Sequence, residues 1–221
     1  MNIKNRKRPG KHSIFTAMFD LIFPRRENDA LIADISPADF YKKIPRWRGE
    51  IYPDMQAIFH YKDPAAKAMI KELKSSRNKH AAKIAAHALA NRLAENEIVN
   101  TIIIPMPISK ERRKKRGYNQ CELIADFLAT ELGARGLDAD VEIRTDMLEK
   151  PIDTPKLALR NRAARLQANV GVFRARSILS SDQKRIIIID DVITTGSTMR
   201  SAIGAVRAAG AKAVAGLGVA H

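Results

Sequence analysis

The chain has 221 residues, 45% of them hydrophobic, with a formal net charge of +15 and a single cysteine. That length fits one domain, or one domain with a smaller appendage, and leaves ample apolar residues for a core. Cys121 alone excludes an internal disulfide framework and a cysteine-based zinc cluster, which favours the cytoplasm, and no apolar run reaches the roughly 18 residues of a membrane-crossing helix.

Residues 1–12 read as a basic, disordered tail, with Lys4, Arg6, Lys7, Arg8 and Lys11 unopposed by any acid and Pro9-Gly10 against a helix. Residues 13–60 are expected to form an N-terminal appendage. Its apolar stretch Ile14–Phe19 is broken by Asp20 and followed by Pro24-Arg25-Arg26 without a cleavage site. It therefore reads as a short amphipathic helix on the domain or on a membrane surface, not as a signal peptide. Pro37, Pro45 and Pro53 punctuate 28–54 as irregular structure, and Ile58–Tyr61 reads as a short strand.

The main domain is expected over 61–221. Helices are predicted over 64–74 and over 78–94, where Ala81, Ala85, Leu89 and Leu93 recur at every fourth position. Thr101–Ile104 is a short buried strand closed by Pro105 and Pro107. A basic loop follows, with Lys110, Arg112, Arg113, Lys114, Lys115 and Arg116 against Glu111 alone. Leu123, Ile124, Phe127, Leu128 and Leu132 share one face of a helix over 120–132, with Gly133 as its stop. Residues 141–148 form a candidate strand, 186–189 a buried strand, 198–209 a helix stopped by Gly210, and 213–219 a last strand. Unbroken apolar strands alternating with helices imply an α/β fold, a parallel sheet flanked by helices on both faces. The five histidines have no metal-ligand spacing and are expected to be structural or solvated.

In such sheets, ligands bind beyond the carboxyl ends of the strands. One strand ends in Asp190-Asp191, then Val192-Ile193, then Thr194-Thr195-Gly196-Ser197-Thr198 at the start of a helix. Paired acids accept hydrogen bonds from sugar hydroxyls, while a glycine- and hydroxyl-rich turn at a positive helix end suits a phosphate. The other strand end leads into the basic run. If the two strands are neighbours, a sugar-hydroxyl site faces a polyanion site, as a sugar with phosphate at one end and pyrophosphate at the other requires.

The segment Ile186–Thr198 resembles the phosphoribosyl-pyrophosphate (PRPP) motif of type I phosphoribosyltransferases. Ile104-Pro105-Met106-Pro107-Ile108, Arg112 and Arg116-Gly117-Tyr118-Asn119-Gln120 resemble the signature of the ComF family, as do Phe19–Pro24, Tyr61, Ile70, Leu73, Lys74, Thr154, Arg165, Gly171 and Phe173. That family is associated with competence and DNA uptake. Two positions depart from it. The cysteine-rich zinc element usual after the Phe-Pro step is replaced by Arg25–Asp29, so no zinc is expected. Leu157 stands where a glutamine is usual, and Asn169 is shifted by one.

The resemblance implies a PRPP-binding protein working with Mg²⁺, and a pentosyl transfer to an unknown nitrogen acceptor with pyrophosphate release, as in nucleoside metabolism. It implies that Asp190 and Asp191 bind ribose, and that Thr194, Thr195, Gly196, Ser197 and Thr198 bind the 5′-phosphate. Arg112, Arg113 and Arg116 would close over pyrophosphate. Tyr118 and Asn119 are candidates either for acceptor contact or for anchoring the loop. Mg²⁺ would be held mainly by substrate oxygens, with no direct protein ligand assigned. No general base is visible, since Thr194 stands where some members carry an acid. Catalysis therefore stays open beside two alternatives: a non-catalytic PRPP or nucleotide sensor, and a DNA-associated competence accessory protein. A homodimer is common among similar proteins, although no interface is legible.

Overall fold

The computed structural model describes residues 27–49, 51–96, 98–151, 172–176 and 184–221. The basic tail, the Phe19–Pro24 step, and Thr154, Leu157, Arg165, Asn169 and Gly171 lie outside the described residues. The described elements in chain order are α1 (Glu27–Ile32), α2 (Pro37–Lys43), β1 (Met55–Phe59), α3 (Pro64–Ser75), α4 (Lys79–Ala94), β2 (Thr101–Pro105), α5 (Lys110–Arg116) and α6 (Gln120–Ala134). A 3₁₀ turn (Asp138–Asp140), β3 (Val141–Ile143), β4 (Leu148–Glu149), β5 (Arg174–Ala175), β6 (Arg185–Val192), α7 (Ser197–Ala208) and β7 (Val214–Ala220) follow.

Five strands form one sheet in the order β1-β7-β6-β2-β3, and every pairing is parallel. This is the α/β architecture expected from the unbroken isoleucine runs. Because side chains alternate across a strand, both faces of a β6 made of isoleucines must be covered. Ile187 and Ile189 join one core with Ile103, Leu217, Val219 and the inner faces of α3, α4 and α6. Ile186 and Ile188 join a second core with Ile102, Ile104 and the Met199, Ala202, Ile203, Val206 face of α7. Each such isoleucine contributes about 1.5–3 kcal/mol relative to an exposed one.

Local chemistry sets the helix starts. Asp63 accepts from the amides of Ala65 and Ala66 at 2.9 and 3.0 Å, with Pro64 in the first turn of α3. Asn78 does the same for α4 through His80 and Ala81. The buried alanines of α4 let it sit close against its neighbours.

Four expectations are corrected. Residues 28–54 are not all irregular, because Ser36 caps α2 and Phe40 and Tyr41 bury against Phe59. Residues 109–117 are not a loop, because Ser109 caps the short helix α5 and Gly117 closes it at φ +82°. Gly133 does not end α6, which runs on to Ala134, with the left-handed turn at Gly136. The strand expected over 141–148 is split: β3 joins the main sheet and β4 pairs antiparallel with β5. In addition, β1 begins earlier than the strand read at Ile58–Tyr61. It hydrogen-bonds to β7 as part of the main sheet, although it precedes residue 61.

Strand β7 brings α7 close through glycine. A Cβ added at Gly216 meets Met199 Cγ at 2.5 Å. Gly216→Val is therefore expected to push α7 off the sheet and to cost about 1–3 kcal/mol or more, read as a lowered urea midpoint.

Candidate functional site

Strands β2 and β6 are neighbours, in register from Thr101 opposite Arg185 to Pro105 opposite Ile189. Chain order reverses between them, since β3 lies beyond β2 while β7 lies beyond β6. Their connections leave in opposite directions and open a crevice at the carboxyl ends. Met106 extends the pairing by donating its amide to Ile189 O at 2.8 Å.

The crevice has a volume of about 390 Å³. Asp190, Asp191 and Val192 line it from the end of β6. Ser197, Thr198 and Ser201 line it from α7, Met106, Pro107 and Ile108 from the end of β2, and Arg112, Arg116 and Gln120 from α5 and α6. Lys74 of α3 and Lys150, Val172 and Phe173 beside the β4–β5 ladder complete the wall. Both acids, two of the three expected arginines and two of the turn hydroxyls are thus brought together.

Asp191 is buried, with Oδ2 3.0 Å from Lys74 Nζ. Asp190 is partly buried. Its Oδ1 accepts from the Asp191 amide at 2.8 Å and from Cys121 Sγ at 3.4 Å. Burial first, and then the neighbouring Asp191 charge, hold the Asp190 carboxyl well above the usual carboxylate range. Burial and the same two carboxylates push the Cys121 thiol up, so it keeps its proton and is no nucleophile.

The turn before α7 is built around Gly196 at φ +72°. No side chain caps this helix, so its first amides are not engaged by a capping side chain. Ser197 Oγ lies 3.1 Å from Thr195 Oγ1, and Thr194 and Thr195 are exposed beside the crevice without lining it.

Besides Thr194, Thr195 and Gly196, three expected residues stand outside the crevice wall. Arg113 turns away to pair with Glu122. Asn119 is buried as the cap of α6, accepting from Cys121 N at 2.9 Å and donating to Met106 O at 3.0 Å, which pins the end of β2 to α6. Tyr118 donates its hydroxyl to Leu73 O at 2.6 Å and accepts from Arg77 N at 2.9 Å, tying the end of α5 to the end of α3. Tyr118→Phe is expected to lose on the order of 1 kcal/mol of stability, with ligand affinity unchanged, in paired melting and titration experiments.

The sequence reading assigned no role to Lys74, Gln120, Lys150 or Phe173 in the crevice. Phe173 and Lys150 form a cation–π pair, Nζ lying 5.4 Å from the ring centroid. Lys150 carries no periodic or motif signal. Gln120 follows from its place one residue inside the α6 cap, where it accepts from Arg116.

The phosphoribosyl transferase domain family matches residues 119–221, which include β6, the acidic pair, the glycine turn and α7. A 106-residue stretch is 27% identical to Competence protein ComFC of Bacillus subtilis (strain 168), covering 46% of this chain and 36% of that protein. The chain is thus similar over part of its length to phosphoribosyl transferase domains and to a ComF-type competence protein. It spans little more than a third of the relative's length. In this phosphoribosyltransferase-like chain, β1 and β2 precede the matched domain, yet β2 supplies one wall of its crevice.

Among the described residues no helix is long and apolar enough to cross a membrane. No group of three or more His, Cys, Asp or Glu among them is able to hold a metal ion by itself.

Proposed function

We propose that the crevice binds PRPP together with Mg²⁺ and transfers its phosphoribosyl group to a nitrogen acceptor, releasing pyrophosphate. The observation that carries this reading is the convergence of Asp190 and Asp191, the start of α7, and Arg112 and Arg116 on one cavity. The carboxylates accept from the ribose hydroxyls. The turn at Thr194–Thr198 donates backbone amides and hydroxyls to the 5′-phosphate. Arg112 and Arg116 stabilise the charge that grows on pyrophosphate as the C1–O bond breaks. Arg113, paired with Glu122, serves that end less directly.

Asp190 and Asp191 would hold Mg²⁺ through the hard carboxylate oxygens that it prefers. Such an ion would supply charge neutralisation for the pyrophosphate as it leaves. The ribose C1 becomes oxocarbenium-like, and the nearby carboxylates stabilise that charge while the acceptor nitrogen forms the new bond.

PRPP with Mg²⁺ at one hundred times Kd is expected to stabilise the fold by about 2.7 kcal/mol, read as a raised Tm. Pyrophosphate release in the presence of a panel of nucleobases and amines separates a transferase from a non-catalytic sensor. No thermal shift with PRPP sinks both.

The printed name of the relative and the surface of α5 favour a second reading, in which the chain also contacts DNA. Helix α5 has no buried residue, and its Lys110, Lys114 and Lys115 make no ion pair with another described residue. DNA affinity that falls steeply with salt, and less steeply in Lys114→Gln/Lys115→Gln, tests it.

A further inference from the structure

Asp191 is the most deeply buried charged residue of the crevice wall, its side chain only 5% exposed. A carboxylate so far out of water is costly to bury unless a cation pairs with it. Among the described residues that cation is Lys74, and Asp191 Oδ2 accepts no other hydrogen bond. Lys74 comes from a different part of the fold, the last turn of α3, and its side chain is 37% exposed. Its half-exposed stem reaches down into the crevice while Asp191 is presented from β6.

This arrangement has a consequence for an anionic ligand. Without Lys74, a phosphorylated sugar would meet the acidic pair with no cation beside Asp191. With Lys74 in place, an ammonium group already faces Asp191 before the ligand arrives, and Asp191 is held in the crevice wall. Resting on the phosphoribosyl reading above, we propose that Lys74 is a positioning residue. It acts on the ligand through Asp191, as the built-in counter-cation that holds this carboxylate in place for the ribose hydroxyls.

The test is calorimetric titration of PRPP and Mg²⁺ into the full chain and four variants. Lys74→Gln is expected to weaken binding about 10- to 100-fold, as the loss of a charge-assisted contact does. Lys74→Arg, which keeps the charge with a different head group, is expected to stay within roughly tenfold of the unmodified chain. The decisive comparison is between Asp191→Asn and Lys74→Gln/Asp191→Asn. If Lys74 acts through Asp191, the double variant binds within about twofold of Asp191→Asn alone, because there is no longer a charge to balance. A merely structural lysine gives losses that multiply, and that result overturns the proposal. So does a Lys74→Gln protein that binds PRPP like the unmodified chain. If Lys74→Gln fails to fold in a melting control, Lys74→Arg and the charge-free double variant still carry the comparison. An unmodified chain that binds no PRPP overturns the phosphoribosyl reading itself, and the proposal with it.

Discussion

Replacing Asp190 and Asp191 together by asparagine is expected to abolish the rise in Tm that PRPP and Mg²⁺ produce, while the ligand-free fold survives. Asparagine keeps the shape but presents one acceptor oxygen and one donor where the ribose hydroxyls need acceptors. The ligand-free protein tolerates the change because asparagine matches aspartate in volume at both positions. Lys74, released from Asp191, has enough exposure to be hydrated. The single variant Asp190→Asn carries a pH signature. The folded state binds the Asp190 proton more tightly than the unfolded chain, since burial and Asp191 raise its pKa. The stability held in that proton is full below about pH 4, the unfolded carboxyl range, and is lost as pH rises through the folded pKa. Urea unfolding from acid to mildly alkaline pH should show this decline in the unmodified chain and a flatter profile in Asp190→Asn. Unchanged PRPP affinity in the double variant removes the ribose assignment.

Gly196→Ala is the second change with a large expected effect. At φ +72° any Cβ is strained, which costs about 1–2 kcal/mol. The new methyl also meets Tyr52 Cε2 at 2.8 Å and Met55 Sδ at 3.2 Å. Tyr52 does not yield freely, because the Arg200 guanidinium lies 4.1 Å from its ring centroid. Clash and strain together are expected to cost on the order of 2–4 kcal/mol and to distort the turn enough to eliminate phosphate binding. Gly196→Ala/Tyr52→Ala relieves the clash but not the strain, so it should regain part of the stability and none of the affinity. Full affinity in Gly196→Ala shows that the turn does not hold the phosphate.

The parts of this molecule that were legible in the sequence are those where one physical requirement dominates. Ile186–Ile189 has to be a strand covered on both faces, and the helix faces of α4 and α7 repeat at helical spacing. The Asp190–Thr198 segment joins acids, a glycine and hydroxyls at a strand-to-helix junction. Partners that depend on distant parts of the chain were not legible. Nothing near Lys74 announces Asp191, and nothing near Lys150 announces Phe173, because each pair meets only once the sheet is assembled. Arg113 has the same composition signal as Arg112, yet Glu122, nine residues later, takes it. Helix α5 was missed because its charges suggested a solvated loop, although Ser109 and Gly117 are ordinary start and stop signals. The start of α2 at Ser36-Pro37 was equally readable, and three prolines drew attention away from it.

The place of β1 bears on how the chain reaches its folded form. Among the described strands its sheet neighbour is β7, far along the sequence. Phe59 packs locally on Phe40 and Tyr41, but the strand ladder of β1 is complete only when residues 214–220 lie beside it. Such long-range closure slows folding and leaves an unpaired, apolar strand exposed meanwhile. The same strand supplies Met55, which lies against Gly196, so the turn before α7 gains this support only when the two distant parts of the fold have met.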